Sequence, residues 1–561
     1  AGLAPDVKPL KDLYVEDLSQ ALWILLGTVG FVLLIACANV ANLFLVRAEA
    51  RRREHALRSA LGAGRGDMIR YYLSESVALG VGGGLLGLGL AWGGVKLLLA
   101  MAPQGIPRTE EIGIDGTVLL FTGCISIGAG LFFGLFPALL SGRRDLSGML
   151  KEGGRSATEG RERHRVRSTL VVGQVALALV LLVGSGLMAR SFMAMRSIDP
   201  GFDSESRLTF RVALPEAEYP DEESVRLFHR QLEDRLRAIP GVLSAGLVSA
   251  VPLTGHKSAF PMEAEDNPLP EDQLGIVVDE RKVTPGSFET LGIEVVQGRG
   301  LRWEDSGDGV RSAVISETAA RTFWPNEPWG IGRRIRSRGS PENTWEVVGV
   351  AEDIHFETLT ADPGPIAYFP MIAGSTESPE ITRSAAAVLH VGADPLSFVA
   401  AAREALRDVD PRLPMVNPRT VVRIEADAMA ATSFTGVLLG IAAGIALLLG
   451  TVGIYGVISY VVSRRTQEIG VRMALGAPAS LIRRDVVGRG MGLAGVGLAL
   501  GLIGAWAVSR VLTSLLYGVS ATDPLTYAGT TLGLALVALL AAWVPARRAS
   551  RVDVVEALKA E

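Results

Sequence analysis

Seven stretches of about 20 or more largely apolar residues constrain this chain more than any other feature in it: roughly 21–46, 74–101, 116–141, 168–189, 433–462, 490–517 and 524–545. A helix of that length crosses about 30 Å of hydrocarbon, where every backbone N–H and C=O must be satisfied inside the segment itself. The expectation is therefore an α-helical transmembrane bundle of about seven spans. The composition agrees, with 48% hydrophobic and only 20% charged residues. A formal net charge of −4 offers no basic surface of the kind nucleic acid requires. Cys37 and Cys124 both lie within apolar runs, where they read as small hydrophobes.

The loops assign an orientation. VRAEARRREHALRSALGAGRGDMIR after the first span, SGRRDLSGMLKEGGRSATEGRERHRVRS after the third and SRRTQEIGVRMALGAPASLIRRD after the fifth are Arg-rich. APQGIPRTEEIGIDGT and YGVSATDP carry almost no positive excess. The positive-inside rule puts the basic loops and the tail RRASRVDVVEALKAE in the cytoplasm, and counting spans then places residues 1–20 and 190–432 outside.

The chain is internally duplicated. REHALRSALGA at 53–63 matches QEIGVRMALGA at 467–477, so that Glu54, Arg58, Leu61 and Gly62 return as Glu468, Arg472, Leu475 and Gly476. Further on, Pro137, Asp145, Leu150 and Lys151 return as Pro545, Asp553, Leu558 and Lys559. Each copy comprises three spans, which is how pseudosymmetric transporter bundles are built. The resulting organisation is a lead-in at 1–20, a first unit at 21–152, a linker and fourth span at 153–189, an ectodomain at 190–432 and a second unit at 433–561. The second copy is preceded by a span and an ectodomain, whereas the first shows only the lead-in KDLYVEDLSQALW; the expectation is a shortened form of a protein with two ectodomains and eight spans.

Within the ectodomain, RLTFRVAL, SVRLFHRQLEDRLRAI and GVLSAGLVSA read strand, helix, strand, and AAAVLHV, PLSFVAAAREALRDV and PMVNPRTVV repeat that order. Two such units separated in sequence predict an α+β domain with a split ferredoxin-like sandwich. The Gly- and Pro-richer segment between them, about 256–380, predicts a β-rich subdomain.

The chemistry is sparse. No lysine follows a glycine, so a P-loop for phosphates is missing from these residues and any ATP hydrolysis is expected from a partner. His55, His164, His229, His256, His355 and His390 lack metal-ligand spacing and read as solvated surface residues; no catalytic, metal or cofactor residue is assigned. The span centres hold essentially no titratable residue, and Glu75, Lys96, Arg489 and Arg510 fall at span ends, which argues against an ion-coupled carrier. G-x-x-x-G spacings at Gly83/Gly87, Gly89/Gly93, Gly440/Gly444 and Gly497/Gly501 permit close helix packing. In the repeated E-x-x-x-R-x-A-L-G-A segment, acid and base stand at i, i+4 on a helix directly after a span, and a docking helix is expected there.

EIGVRMALGA, the PARRAS tail and the ectodomain phrase VTPGSFETLGIEVVQGRGL resemble the FtsX-like permeases of the MacB type with their periplasmic core domain. The resemblance covers nearly the whole chain and is similar to duplicated permeases in which two units are fused. It implies a non-catalytic permease of an ABC transporter in a bacterial inner membrane, working with an ABC ATPase and with a periplasmic adaptor or outer-membrane component. In such a permease, ATP-driven motion reaches the ectodomain rather than passing substrate between the spans. Glu54, Arg58, Leu61, Gly62, Glu468, Arg472, Leu475 and Gly476 are then the expected ATPase-docking residues. A membrane regulator that activates an extracytoplasmic enzyme is the alternative, and no sequence feature names a substrate. A cysteine introduced near residue 300 is expected to react with an impermeant maleimide on intact cells, and labelling only after lysis would overturn this orientation.

Overall fold

The structure, a computed structural model, describes residues 10–50, 65–101, 113–141, 156–270, 273–306, 311–326, 329–338, 343–374 and 379–551. The chain divides into two compact units, Ala1–Ala194 with Thr432–Glu561 and Met195–Ala431. In chain order the helices before the ectodomain are α1 (Leu10–Ala50), α2 (Arg65–Met101), α3 (Gly116–Ser141) and α4 (Ser156–Arg196). Those of the ectodomain are α5 (Glu222–Arg237), α6 (Ser287–Leu291), α7 (Glu317–Phe323), α8 (Val399–Val409) and α9 (Val421–Ala428). The chain continues in α10 (Ala430–Arg464), α11 (Thr466–Ala474), α12 (Ala479–Ser509) and α13 (Pro524–Ala549).

Among the described residues, six helices are long and apolar enough to cross a membrane, in α1, α2, α4, α10, α12 and α13. The remaining expected span falls in α3, whose stretch Gly116–Gly128 is a shorter apolar helix. One expected boundary is corrected: the span read as 490–517 belongs to a helix that starts at Ala479 and ends at Ser509, followed by the short turn Thr513–Leu515. The helix carries on through Arg483, Arg484 and Arg489, because hydrogen bonding inside a helix continues wherever its side chains can reach water.

The bundle is organised around α4. Over half of its candidate span, 56%, is buried, against none of the candidate span in α2. Val175, Ala178 and Leu179 of α4 share one core with Ile35 of α1, Ala443 and Ile454 of α10, Ala494 and Ala505 of α12, and Ala538 and Ala542 of α13. Hydrocarbon gives apolar side chains no reason to leave lipid for protein, so such a core is held by close packing and by polar contacts. Both are present. A Cβ at Gly497 would lie 2.7 Å from the Val175 Cβ, and one at Gly501 would lie 2.9 Å from the Leu179 Cβ, so α12 meets α4 at a distance only glycine allows. The other expected glycine pairs do not pack this way: Gly440 makes ordinary contact with the Ser185 hydroxyl at 3.6 Å, while Gly83, Gly87, Gly89, Gly93 and Gly444 have nothing within 4 Å.

The polar contacts are amides. Asn39 of α1 donates from Nδ2 to the Leu449 carbonyl of α10 at 2.8 Å, and Gln174 of α4 donates from Nε2 to Asn39 Oδ1 at 3.3 Å and to the Ile35 carbonyl at 3.5 Å. The register that aligns Glu54 with Glu468 also aligns Ile35 with Leu449 and Asn39 with Gly453. The two carbonyls that accept amides are thus equivalents in the two copies, and the copies meet at this knot. Gly453 leaves room for it, since a Cβ there would fall 2.2 Å from Gln174 Oε1.

In the ectodomain, eleven strands form one sheet: β1 (Arg207–Ala213), β2 (Val242–Val248), β3 (Ala259–Ala264), β4 (Ile276–Val283), β5 (Val295–Gly298), β6 (Ser312–Ser316), β7 (Arg334–Ser337), β8 (Thr344–Ala351), β9 (Ile366–Pro370), β10 (Ser384–Val391) and β11 (Val416–Thr420). Its path is β11-β1-β10-β2-β4-β3-β7-β8-β6-β9, with β5 on β8. The first four strands are antiparallel. Alternate residues Leu208, Phe210 and Val212 of β1 pack on Val225, Phe228, Leu232 and Leu236 of α5 and on Leu406 of α8. Pairing of β4 with β9, parallel from Asp279–Ile366 to Val283–Pro370, then closes β4-β3-β7-β8-β6-β9 into a ring, which removes the free edges a sheet would otherwise expose. Phe323, Trp324, Trp345 and Phe369 belong to its core.

The phrase VTPGSFETLG is the joint between these two halves. Leu247 of β2 donates its N–H to Thr284 Oγ1 at 2.9 Å and its carbonyl accepts from Ser287 Oγ at 2.7 Å. Arg207 of β1 also donates from Nε to the Thr290 carbonyl at 2.6 Å and pairs with Asp203.

One expectation is overturned here. His229 is 1% exposed, not solvated, because it shares the inward face of α5 with Val225, Phe228 and Leu232. Glu233, one turn on, is 2% exposed. Burial pushes His229 down to about 4 from 6.5 and pushes Glu233 up to about 7 from 4.5, against the hydrogen bond to Thr284 and the charge of Arg237. Between pH 4 and 6.5 the unfolded chain binds the extra proton at His229, so that contribution to stability rises with pH. Between pH 4.5 and 7 the folded chain holds the extra proton at Glu233, so that contribution falls with pH. The two oppose each other in the wild type.

Two outcomes follow from this packing. In denaturant titrations of the ectodomain, His229→Gln is expected to leave stability falling as pH rises from 4.5 to 7, and Glu233→Gln to leave it rising from 4 to 6.5, with slopes of at most about 1.4 kcal/mol per pH unit. In the bundle, Gly453→Val is expected to lower stability in detergent melts by about 1–3 kcal/mol through overpacking, while Gly444→Val, on the same helix with open space around it, leaves the melt unchanged.

Candidate coupling site beside the last amphipathic helix

Of the expected docking residues, Glu54, Arg58, Leu61 and Gly62 lie outside the described residues. The second set is fully described. Arg465 follows the apolar stretch of α10, and α11 begins at Thr466 as a short amphipathic helix. Its apolar side places Ile469 in a small cluster with Ile482 of α12 and Ala549 of α13. On its polar side Arg472 donates to Glu468 Oε1 at 2.6 Å, one turn apart as the sequence spacing requires. Both side chains are about half exposed, so the pair contributes only about 0.3–0.5 kcal/mol to the helix.

The repeated Ala-Leu-Gly-Ala has a local cause that sequence reasoning did not identify. Gly476 sits at φ +91, its N–H bonds to the Met473 carbonyl at 3.0 Å, and the Ala477 N–H bonds to the Arg472 carbonyl at 3.0 Å. These are the two reversed bonds of a Schellman stop, which needs glycine at the left-handed position. Stopping α11 there leaves Leu475 at the corner, 84% exposed.

Beside this corner is a cleft of about 350 Å³ between α10, α11 and α12. Val457, Ile458, Val461, Leu481, Ile482 and Val486 give it apolar walls, and Arg465, Glu468, Arg472, Asp485 and Arg489 add charge. Arg489 and Asp485 pair at 3.1 Å, so most of this charge is compensated within the cleft. An apolar walled space with a paired charged border fits an amphipathic element rather than a small polar substrate.

Sequence reasoning looked for titratable residues in the spans and so passed over polar ones that matter. Asn39, Asn42 and Gln174 stand out only as amides inside IACANVANLF and VVGQVALAL, yet each is at least nine-tenths buried. Arg167 is also buried, stacked 4.0 Å from the centroid of the Tyr460 ring. Among the described residues no group of three or more His, Cys, Asp or Glu could hold a metal ion.

Comparison with known proteins agrees with this layout. The family described as FtsX-like permease C-terminal matches over residues 27–146 and again over 440–554, and the MacB-like periplasmic core domain matches over 168–409. The macrolide export ATP-binding/permease protein MacB of Hahella chejuensis is 23% identical over 407 residues, covering 71% of this chain and 58% of that protein. The pyoverdine export ATP-binding/permease protein PvdT of Pseudomonas savastanoi pv. phaseolicola is 30% identical over 289 residues, covering 48% of this chain and 40% of its own length. An uncharacterized ABC transporter permease of Bacillus subtilis, YknZ, is 36% identical over 116 residues, covering 21% of this chain and 28% of its own. The chain thus spans less than two thirds of the length of each of these relatives. With the matches falling in the order permease, periplasmic core, permease between residues 27 and 554, the chain belongs to the FtsX-like ABC transporter permeases of the MacB type.

Proposed function

We propose that this chain is a non-catalytic permease that couples ATP hydrolysis by a partner ATPase to motion of its ectodomain, for export or extraction of a substrate. The observation that carries the proposal is the corner of α11: an exposed Leu475 beside an apolar cleft, within a segment matched by the permease family. A helix of the ATPase seated in this cleft would bury Leu475 and push on α10 and α12 together. The relatives named as exporters carry ATP-binding and permease parts in one protein, and in this reading a separate subunit supplies the ATP-binding part.

In this reading α1 to α3 form the first permease unit and α10 to α13 the second, with residues 190–432 on the periplasmic side of a bacterial inner membrane. The strand order β11-β1-β10-β2, with α5 and α8 on one face, supports the split ferredoxin-like sandwich, and the closed ring supports the β-rich insertion. Uncharged span centres favour force transmission over passage of a polar substrate between the spans. An adaptor or outer-membrane component is the partner proposed for the ectodomain.

Leu475→Asp is expected to weaken co-purification of the ATPase about tenfold or more, the loss that about 1.4 kcal/mol or more carries at a buried contact. Arg472→Glu is expected to act in the same direction, and Arg58→Glu to do so through the first copy. Unchanged ATPase binding in all three variants would refute the docking claim.

A further inference from the structure

Besides its bonds to β2, the joint segment of the ectodomain borders a small cavity. Ser287, Phe288 and Leu291 of α6 line it together with Arg281 of β4 and Tyr368 of β9. Arg281 and Tyr368 are register partners in the parallel pairing that closes the ring, so their side chains leave the sheet side by side on one face. They are 1% and 2% exposed. The Phe356 ring covers the guanidinium at 3.7 Å, and Phe288 meets the Tyr368 ring edge to face with centroids 5.1 Å apart.

Two donors of these side chains have no acceptor among the described residues. Arg281 donates from Nη1 to the Glu280 carbonyl at 2.7 Å and from Nη2 to the His256 carbonyl at 3.2 Å, and Nη2 lies 3.0 Å from Asp279 Oδ1, but its Nε–H is unpaired. The Tyr368 hydroxyl is unpaired as well, and burial pushes its pKa above the ordinary value, so it keeps its proton. Leaving a buried donor unmet costs more than a made bond gains, and ordered water is the common answer. An acceptor is also at hand: Ser287 Oγ gives its proton to the Leu247 carbonyl at 2.7 Å and keeps lone pairs of its own. The cavity measures about 10 Å³, close to the roughly 10–15 Å³ that one water requires. Asp279, Glu357 and Glu280 bear on the guanidinium with negative charge, which opposes an anion there.

We propose that this cavity is a binding site for one structural water molecule, which accepts hydrogen bonds from Arg281 Nε and the Tyr368 hydroxyl and donates one to Ser287 Oγ. Two donors and one acceptor around so small a space fit a ligand that both accepts and donates, which a halide cannot do. The water completes the joint. Thr284 and Ser287 hold VTPGSFETLG directly to β2, and through the water the same serine is tied to β4 and β9 of the ring. The site belongs to the ectodomain alone, and it is independent of the ATPase docking proposed above.

The test is X-ray hydroxyl-radical footprinting of the full chain in detergent, read by mass spectrometry, because radiolysis of a bound water labels the side chains beside it even where bulk solvent does not reach. The buried rings of Phe288 and Phe356, which line the cavity, are expected to label severalfold faster than those of Phe228 and Phe369, which are buried elsewhere. Tyr368→Phe removes one of the two donors and is expected to bring Phe288 and Phe356 down to the rate of Phe228, while the exposed Phe260 keeps its rate and so checks the fold. The wild-type comparison stands whether or not that variant folds. Equal rates for all these buried rings in the wild type, or fast labelling of Phe288 and Phe356 that survives Tyr368→Phe, would overturn the proposal. A wild-type melt that shifts when gluconate replaces chloride, with the shift lost in Tyr368→Phe, would also overturn it, since the occupant would then be an anion.

Discussion

Close approach of α4 to α12 is the contact on which the bundle depends. In water the hydrophobic effect would drive these helices together, but in lipid the tails are as apolar as leucine, and association relies on packing and on the few polar bonds available. Gly497 and Gly501 provide the packing by letting the α4 backbone reach the α12 backbone. Asn39 and Gln174 provide the bonds, joining α1, α4 and α10 at carbonyls that are equivalents in the two copies. The cleft beside the corner of α11 is walled by α10 and α12, two of the helices held this way, and by α11 between them.

The ectodomain obeys the other solvent. Its strands bury alternate residues against α5 and α8, and its second half closes into a ring that leaves no long edge to recruit another chain. The segment VTPGSFETLG joins the halves through side-chain bonds to the backbone of β2, which gives that phrase a structural reason to be recognisable. His229 and Glu233 are the opposing titratable groups that this packing encloses.

Legibility followed the range of the interactions. The spans could be read because the bilayer's demand is local, satisfied residue by residue along one helix. Where a helix runs on past the hydrocarbon, as α12 does through Arg483 and Arg489, hydropathy marks the membrane and not the helix. Metal-ligand spacing says nothing about the burial of His229, whereas the helical period places it on the apolar face with Val225, Phe228 and Leu232. Closure of the ring through β4 and β9 was not readable, since it pairs residues near 279 with residues near 366 and no local pattern records it. The amide knot was readable in part: Asn39 and Gln174 are conspicuous in their runs, but which carbonyls they reach depends on the packing of three helices.

The repeated Ala-Leu-Gly-Ala shows how a motif can hold two causes at once. The glycine is accounted for by the helix stop, and the same stop would form with many residues at position 475, because that residue lends only its backbone to the motif. The Glu468–Arg472 pair is too exposed to hold the helix by itself. Neither explains why the corner carries a leucine, mirrored by Leu61 in the first copy, that is 84% exposed beside an apolar cleft. Folding of the isolated helix gains nothing from that side chain, so its reason has to be sought in what covers it.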